Sequence, residues 1–400
     1  MKIQIFTRNF ISSIPGFEIN TNKPIGGAEV YLYDLSQLLI RIGYEVEVIQ
    51  AGFKDSQLEV DGIKIRIIRL NRIQRIFFPV FLSILFSKLE ERDSLKIYNY
   101  PNYAIFRKKR DCKSIGIFHG VEWDTGFFEY VYREYKYRQN GFRGLLKAVI
   151  KYVYFASIVL YFVQRGIENL NKVVSVDSNI FYYLTKKLSD KIVVIPNYVD
   201  CNLFYQISQD TEEKVNKIYN FLVPRNLNVA RGVFLIPDVC LYLLKFRKDF
   251  IFNIVGTGPL KEYLEKKIIE NNLQQFIKLI GHIPHSKMPE LYRKADIVLI
   301  PSIFSEGTTL AALEAMACSK LLITTNVGGL REIGEDMISK VVVRPNAKDI
   351  TEKILFILEH KEVSNKIVNT VRDYVCNNFG KELWEKQWKK LIQETIQQSN

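Results

Sequence analysis

Short apolar runs typical of β-strands alternate with helix-like stretches along almost the whole 400-residue chain. The runs begin with IQIF at 3–6 and continue to KLLITTN at 320–326. Strand, helix and strand at this spacing predict parallel sheets that are covered by helices on both faces. The length accommodates two such α/β domains, and we place the joint between them near 196–200.

The predicted domains are Rossmann-like, with one at 1–198 and the other at 199–380. The tail ELWEKQWKKLIQETI reads as a helix with Trp384 and Trp388 on one side. We therefore expect 381–400 to pack back on the N-terminal domain. Ligands of such folds bind at the carboxyl ends of the strands, where helix N-termini offer backbone N–H groups to anions. Loops of this kind occur at 26–27, 256–258 and 306–309.

The five cysteines are scattered and form no CxxC pair. This pattern argues against a disulfide framework or a thiolate zinc site, and it favours a reducing cytosol. The first ten residues, MKIQIFTRNF, contain no long apolar run, so we expect a first strand there and no secretory signal.

The net charge of +13 indicates an anionic partner. The run IFFPVFLSILF at 76–86 is too short to span a bilayer, and the longer one at 145–163 is interrupted by Lys147 and Lys151, so both read as core or interfacial helices.

We interpret the basic N-terminal half as a peripheral contact with an anionic membrane surface, at the inner face of the cell membrane. No RNA-binding motif is present, which disfavours nucleic acid as a partner. The cations around 76–86 are Lys64, Arg66, Arg69, Arg72, Arg75 and Lys88.

Two glutamates stand eight positions apart in SEGTTLAALEAMA, at 305–317. Glu314 lies in a stretch that is apolar on nearly every side, which is typical of a buried helix. An ionised carboxylate is costly there unless something pairs with it. Carboxylates bind the hydroxyls of sugars and helix N-termini bind phosphates, so a nucleoside diphosphate sugar needs both kinds of group. The alternative is that one glutamate caps the helix and the other forms a structural ion pair.

The run at 281–333, which contains both glutamates, closely resembles the donor-binding signature of the family 4 glycosyltransferases. Four more segments resemble motifs of that family in the same order: PIGGAEVYLYDLSQLLIRIGYEVEVI at 24–49, IFHGVEWD at 117–124, VIPNYVDCNLF at 194–204 and FLVPRNLNVARGV at 221–233. The resemblance implies the GT-B fold, in which two doubly wound domains face each other across a cleft. It also implies a retaining, metal-independent hexosyltransferase that uses a nucleoside diphosphate sugar as substrate, needs no cofactor and acts on a glycan or lipid-linked acceptor.

The resemblance further implies roles for individual residues. Glu306 would contact the transferred sugar, and Glu314 would bind both ribose hydroxyls. Arg225 and Arg231 would neutralise the diphosphate, and His119 would bind the sugar near its reacting carbon. The other implied donor contacts are Gly26, Gly27, Gly256, His282, Ile283, Thr308, Thr309 and Leu310.

The sequence departs from the family pattern in the loop at 306–310. The loop reads EGTTL where many relatives have EGFGL, which leaves the donor sugar open. No DxD triplet occurs, as expected for a transferase that does not hold its donor through a metal, and His282 and His285 lack a third ligand nearby. A GT-B-fold sugar-nucleotide epimerase and a non-catalytic nucleotide-sugar-binding protein remain alternatives.

Overall fold

The computed structural model describes residues 1–11, 27–71, 74, 78–107, 113–120, 131, 141–206 and 217–397. The chain divides into two compact units, each built on one sheet. The first unit comprises Met1–Trp123, Val149–Pro196 and Trp384–Asn400, and the second comprises Asp124–Ala148 and Asn197–Leu383. The prediction of an α/β chain with two parallel sheets is confirmed.

The sheet of the first unit has eight strands: β1 (Lys2–Thr7), β2 (Glu45–Gly52), β3 (Ser56–Val60), β4 (Ile63–Arg69), β5 (Leu95–Tyr98), β6 (Ser114–Phe118), β7 (Lys172–Ser175) and β8 (Ile192–Val194). Their order is β3-β4-β2-β1-β5-β6-β7-β8. Strands β3 and β4 form an antiparallel hairpin, and all other neighbours are parallel. The strand order reverses between β1 and β5, so their carboxyl ends flank the position where ligands bind in doubly wound folds.

The helices that follow these strands are α1 (Gly27–Arg41), α2 (Phe78–Leu89), α3 (Gly141–Val153), α4 (Leu160–Asn169) and α5 (Lys186–Ser189), with a π-helical stretch (Tyr154–Val159) between α3 and α4. Residues 141–148 of α3 belong to the second unit. Leu82 and Phe86 of α2 are fully buried in the core of the first unit. The apolar run at 76–86 therefore packs at least partly inside, while Arg72 and Arg75 lie outside the described residues. No helix within the described ranges is long and apolar enough to cross a bilayer.

The sheet of the second unit has six strands: β9 (Tyr219–Pro224), β10 (Phe250–Val255), β11 (Ile277–Gly281), β12 (Ile297–Ile300), β13 (Leu321–Thr325) and β14 (Val341–Val343). All neighbours are parallel, in the order β11-β10-β9-β12-β13-β14. Strands β12 and β13 are buried along their whole length, as is typical of strands in a covered parallel sheet. The sequence of β12 is apolar throughout, and β13 ends in two buried threonines, Thr324 and Thr325. Here the order reverses between β9 and β12, which places the expected ligand crevice at their carboxyl ends.

Helices of the second unit are α6 (Ile236–Leu243), α7 (Lys261–Glu270), α8 (Met288–Lys294), α9 (Leu310–Ala317), α10 (Ala347–Glu359) and α11 (Lys361–Phe379). The last helix, α12 (Lys381–Gln397), belongs to the first unit from Trp384 onward. There the indole of Trp388 donates a 2.7 Å hydrogen bond to the hydroxyl of Tyr31, and Arg41 pairs with Glu385 at 2.6 Å.

A disulfide joins Cys201 to Cys376 in the second unit, with their Cα atoms 6.1 Å apart. The expectation that the cysteines stay unpaired is therefore wrong, and the cysteine pattern no longer supports a reducing compartment. The partners are 175 positions apart, so spacing gave no signal. Arg372 of α11 holds the same two segments together, because its guanidinium donates hydrogen bonds to the carbonyls of Cys201 at 2.7 Å and Phe204 at 2.8 Å.

Candidate functional site

A buried charge cluster lies at the carboxyl ends of β9 and β12. Arg225 directly follows β9, and Glu306 lies in the loop that follows β12. The Arg225 guanidinium is 2.5 Å from the Glu306 carboxylate, and Arg231 lies 2.9 Å from its other oxygen. The hydroxyl of Ser302 also donates to Glu306. Two segments that are 81 positions apart thus bring four side chains together at the switch point of the sheet.

The charges of this cluster determine the ionisation of Glu306. Burial opposes its ionised form, but Arg225 and Arg231 outweigh burial and hold the pKa of the carboxyl below its ordinary value. Glu306 is therefore a carboxylate at neutral pH. Two guanidinium groups against one carboxylate leave the cluster with a net positive charge, of which Arg231 carries the more exposed part.

The Glu306 loop is held tightly against the turn that follows β13. The backbone N–H of Gly329 donates to the carbonyl of Glu306 at 2.7 Å. Gly328 has a φ of +52°, and a Cβ atom there would lie 2.2 Å from the hydroxyl of Ser305 and 2.3 Å from the carbonyl of Glu306. Only glycine fits, so this close approach fixes the position of the carboxylate.

Glu314, on α9, has two partners from the protein itself. Its carboxylate lies 2.7 Å from Nε2 of His285 and accepts a 2.8 Å hydrogen bond from the hydroxyl of Tyr292 on α8. The ring of Phe204 packs against both, with centroids 5.4 Å from His285 and 5.8 Å from Tyr292. Burial, with Glu314 close by, raises the pKa of Tyr292 well above its ordinary value, so Tyr292 remains a donor.

This arrangement modifies the explanation expected for Glu314. The sequence indicated a buried carboxylate, and Glu314 is buried. However, its burial does not depend on a ligand, because His285 and Tyr292 already satisfy it. From the sequence, His285 was expected only as a possible metal ligand, and Tyr292 was not predicted as a partner of Glu314. The available signal was a tyrosine in the short helical stretch that precedes β12.

The two threonines of the loop use their hydroxyls within the protein. The Thr308 hydroxyl accepts a 2.8 Å hydrogen bond from the backbone N–H of Asn197, and the Thr309 hydroxyl accepts one of 3.2 Å from Arg225. Thr309 occupies the N-cap position of α9, but its side chain does not accept a hydrogen bond from the first turn. The N-terminus of α9, beginning at Leu310, thus adjoins Arg225 without a side-chain cap.

Gly256 draws two neighbouring loops together at the end of β10. Its φ is +142°, and a Cβ atom there would lie 2.3 Å from the carbonyl of Arg225. Its N–H donates to the carbonyl of Gly281 at 2.8 Å. His282 and Ile283 follow Gly281 directly, so this part of the predicted donor site lies on the next strand of the same sheet edge.

His119 lies in the first unit, just after β6. Its Nε2 is 2.6 Å from Oδ1 of Asn99, whose amide group donates at 2.9 Å to the hydroxyl of Thr7. Since that amide oxygen is an acceptor, Nε2 carries the proton and Nδ1 keeps a lone pair. Burial lowers the pKa of His119 to about 4, so the ring is neutral at physiological pH. Gly27 begins α1 in the same unit, and Gly26 lies outside the described residues.

Within the ranges the structure describes, no group of three or more His, Cys, Asp or Glu side chains could hold a metal ion.

Two family models match the chain over most of its length. Residues 25–203 match "Glycosyltransferase Family 4", and residues 206–374 match "Glycosyl transferases group 1".

Among curated proteins, the chain is 29% identical over 228 residues to the uncharacterised glycosyltransferase MJ1178 of Methanocaldococcus jannaschii. That match covers 56% of this chain and 59% of MJ1178, so it spans little more than half of either protein. The chain is 24% identical over 363 residues to the GPI3 subunit of phosphatidylinositol N-acetylglucosaminyltransferase of Saccharomyces cerevisiae, which covers 87% of this chain and 73% of GPI3.

Solved structures show the same architecture over the full length. Sucrose-phosphate synthase from Thermosynechococcus elongatus superposes with a TM-score of 0.75 at 18% identity, and HepE of Anabaena in complex with UDP-glucose with a TM-score of 0.69 at 16% identity. Both matches cover 100% of each chain. At these identities the likeness supports the fold alone, and this fold is GT-B, as the sequence predicted. The chain therefore belongs to the family 4, or group 1, glycosyltransferases.

Proposed function

We propose that this chain transfers a hexose from a nucleoside diphosphate sugar to a hydroxyl group of a glycan or lipid-linked acceptor, with retention of anomeric configuration. The observation that carries the proposal is the buried cluster of Arg225, Arg231 and Glu306 at the switch point of the second sheet. The cluster is net positive and adjoins the uncapped N-terminus of α9. Both features favour a diphosphate leaving group.

Donor recognition follows from the two carboxylates. Each carboxylate oxygen has more than one lone pair, so Glu314 can accept hydrogen bonds from ribose hydroxyls while it keeps His285 and Tyr292. Glu306 already accepts from Arg225, Arg231 and Ser302, so it would bind a hydroxyl of the transferred sugar in place of one of these contacts. The loops at Gly256 and His282 would then face the base. HepE binds UDP-glucose, which makes a UDP-sugar the first donor to test.

The proposed chemistry is front-face substitution. The acceptor oxygen bonds to the anomeric carbon on the face from which the diphosphate leaves, and a diphosphate oxygen takes the acceptor proton. Arg225 and Arg231 stabilise the charge that develops on the leaving group, which is the role of a metal in other transferases, so no metal or other cofactor is proposed. Neutral His119 keeps Nδ1 as an acceptor, which suits the sugar-binding role implied by the family motif.

The acceptor class and location complete the proposal. GPI3 belongs to an enzyme named for phosphatidylinositol, which supports a lipid-linked acceptor. A net charge of +13 favours peripheral attachment to the anionic inner face of the cell membrane, and on this ground we propose a cytoplasmic location. We propose no nucleic-acid partner because the sequence contains no RNA-binding motif.

Incubation of the purified chain with nucleoside diphosphate sugars, in EDTA, with and without acceptor, tests this function. We expect a new glycoside and free nucleoside diphosphate only when acceptor is present. An altered sugar without acceptor would indicate an epimerase, and neither product would indicate a binding protein. Activity that is lost in EDTA and restored by Mn²⁺ or Mg²⁺ would contradict the metal-independent mechanism.

A further inference from the structure

An apolar stripe faces outward along the helical segment that runs from the end of α3 into α4. Its members recur at helical spacing and are 46% to 62% exposed, although its three aliphatic members are of types usually found in a core: Ile150, Val153, Ile158 and Tyr161. The stripe follows roughly 16 Å of helix at about 1.5 Å per residue. Large apolar groups exposed in such a row commonly mark an interaction surface.

The opposite side of the same helix is anchored in the core. Val163 and Ile167 of α4 are buried in the cluster that also contains Ile180 and Leu188. The side chain of Gln164 donates a 3.0 Å hydrogen bond to the carbonyl of Tyr183. The outward orientation of the stripe is therefore imposed by the packing of α4.

The segment packed against α4 extends the surface. Phe181 and Tyr182 are 39% and 82% exposed, respectively. Lys186 and Lys187 follow on α5 and are also exposed. On α4 itself, the exposed Arg165 pairs with Glu168 at 2.6 Å. Other exposed charges near the stripe include the two lysines, Lys147 on α3, three positions before Ile150, and Asp190, which opposes them.

We propose that this surface, which we name the α4 face, is the part of the chain that docks on an anionic lipid bilayer. It comprises Ile150, Val153, Ile158, Tyr161, Phe181 and Tyr182, with Lys186 and Lys187 beside them. The inference rests on the membrane location in the proposed function. It assigns the membrane contact to a different surface from the basic run at 64–88, because helix α2 in that run buries Leu82 and Phe86 in the core.

The chemistry of the α4 face favours a bilayer over a protein groove. Aliphatic side chains would enter the acyl boundary, tyrosines prefer the headgroup level, and lysines attract anionic lipid. Amphipathic helices with an apolar face of this kind lie in the plane of a membrane interface. A second copy of the chain is the competing occupant.

Co-sedimentation with vesicles of neutral lipid, with and without an anionic lipid, tests the proposal. We expect the wild type to bind anionic vesicles and to dissociate as salt rises. Ile158→Ser/Tyr161→Ser should weaken binding by roughly tenfold because it removes apolar anchors. Lys186→Glu/Lys187→Glu should abolish the preference for anionic lipid.

Matched controls come from the second unit. Phe246 and Ile269 are 69% and 62% exposed, so Phe246→Ser/Ile269→Ser removes similar apolar area outside the α4 face. Lys278→Glu/Lys366→Glu makes the same charge change at other exposed positions. Both control variants should bind vesicles like the wild type. All variants should retain turnover with a soluble acceptor, which shows that they fold.

Wild-type binding by the Ile158→Ser/Tyr161→Ser variant would overturn the assignment of this surface. A wild-type dimer that dissociates in this variant, without vesicle binding, would identify the α4 face as an interface between copies and would also overturn it. If the wild type transfers sugar but does not bind vesicles, the proposed activity stands and the α4-face proposal fails. If it binds vesicles as predicted but transfers no sugar, the α4-face proposal stands and the proposed activity fails.

Discussion

Arg225 and Glu306 form an ion pair with 2.5 Å between guanidinium and carboxylate, and both side chains are buried. Burying such a pair costs desolvation energy that close geometry only partly repays, so it is weak evidence of stabilisation. The cluster also contains Arg231 and adjoins the uncapped N-terminus of α9. Both features suit a site that binds a polyanion. The pair thus has a structural and a functional interpretation, which variants can separate.

Removing one member of the pair should destabilise the protein, and removing both should restore much of the loss. Arg225→Leu leaves a buried carboxylate with Arg231 alone, and we expect the free energy of unfolding to fall by about 3–5 kcal/mol. Arg225→Leu/Glu306→Leu should be clearly more stable than the single variant, yet inactive. Urea denaturation and turnover measure the two properties. A double variant that regains activity would show that the pair is only structural.

The hydroxyl of Tyr292 should support nucleotide binding through Glu314. Tyr292→Phe removes one hydrogen bond to a buried carboxylate, and we expect affinity for nucleoside diphosphate to fall about tenfold, with a smaller effect on kcat. Calorimetric titration gives the affinity. Tyr242→Phe, at an exposed position of α6, is the matched control and should bind normally. Equal affinity in both variants would contradict the assignment of Glu314 to the ribose site.

Stability should depend on pH through His119. Because burial lowers the pKa of His119 to about 4 from 6.5, the unfolded chain binds a proton between these pH values that the folded chain does not. Stability is therefore lost as pH falls from 6.5 towards 4. In His119→Gln the loss between pH 7 and pH 5 should be about 2 kcal/mol smaller. Parallel stability curves for the two proteins would contradict the burial of a neutral ring.

Reduction should destabilise the second unit. The Cys201–Cys376 bond closes a loop across 175 positions, and disulfides commonly contribute about 2–4 kcal/mol. A reductant should lower the melting temperature of the wild type and have no further effect on Cys376→Ser. Thiol titration of the denatured, unreduced wild type should detect two fewer thiols than titration after reduction, which exposes all five. Detection of all five would show that the bond does not form.

The sheets were predictable because periodicity is a local signal. Runs such as IVLI in β12 and LLITT in β13 are short and rich in β-branched residues, which favours covered parallel strands over buried helices. The burial of Glu314 was predictable for the same reason, since its helix is apolar all round.

The partners of the glutamates were not predictable in this way. Arg225 meets Glu306 across 81 positions only because β9 and β12 are neighbours at the switch point. The order of strands in a sheet cannot be predicted from any single segment of the sequence. His285 reaches Glu314 from a turn before α8 for a similar reason. The disulfide has the same origin, because α11 must first pack beside the segment that contains Cys201.

The most direct test of the donor site is the turnover and nucleotide affinity of Glu306→Gln. This variant keeps the shape of the side chain and removes its charge, so the sugar loses a transition-state contact while the diphosphate keeps both arginines. With a nucleoside diphosphate sugar and acceptor, we expect kcat to fall on the order of 10²-fold and the affinity for free nucleoside diphosphate to stay near that of the wild type. Glu265→Gln, on the exposed face of α7, should match the wild type in both measurements. Wild-type turnover in Glu306→Gln would contradict the assignment of this cluster as the site of sugar transfer.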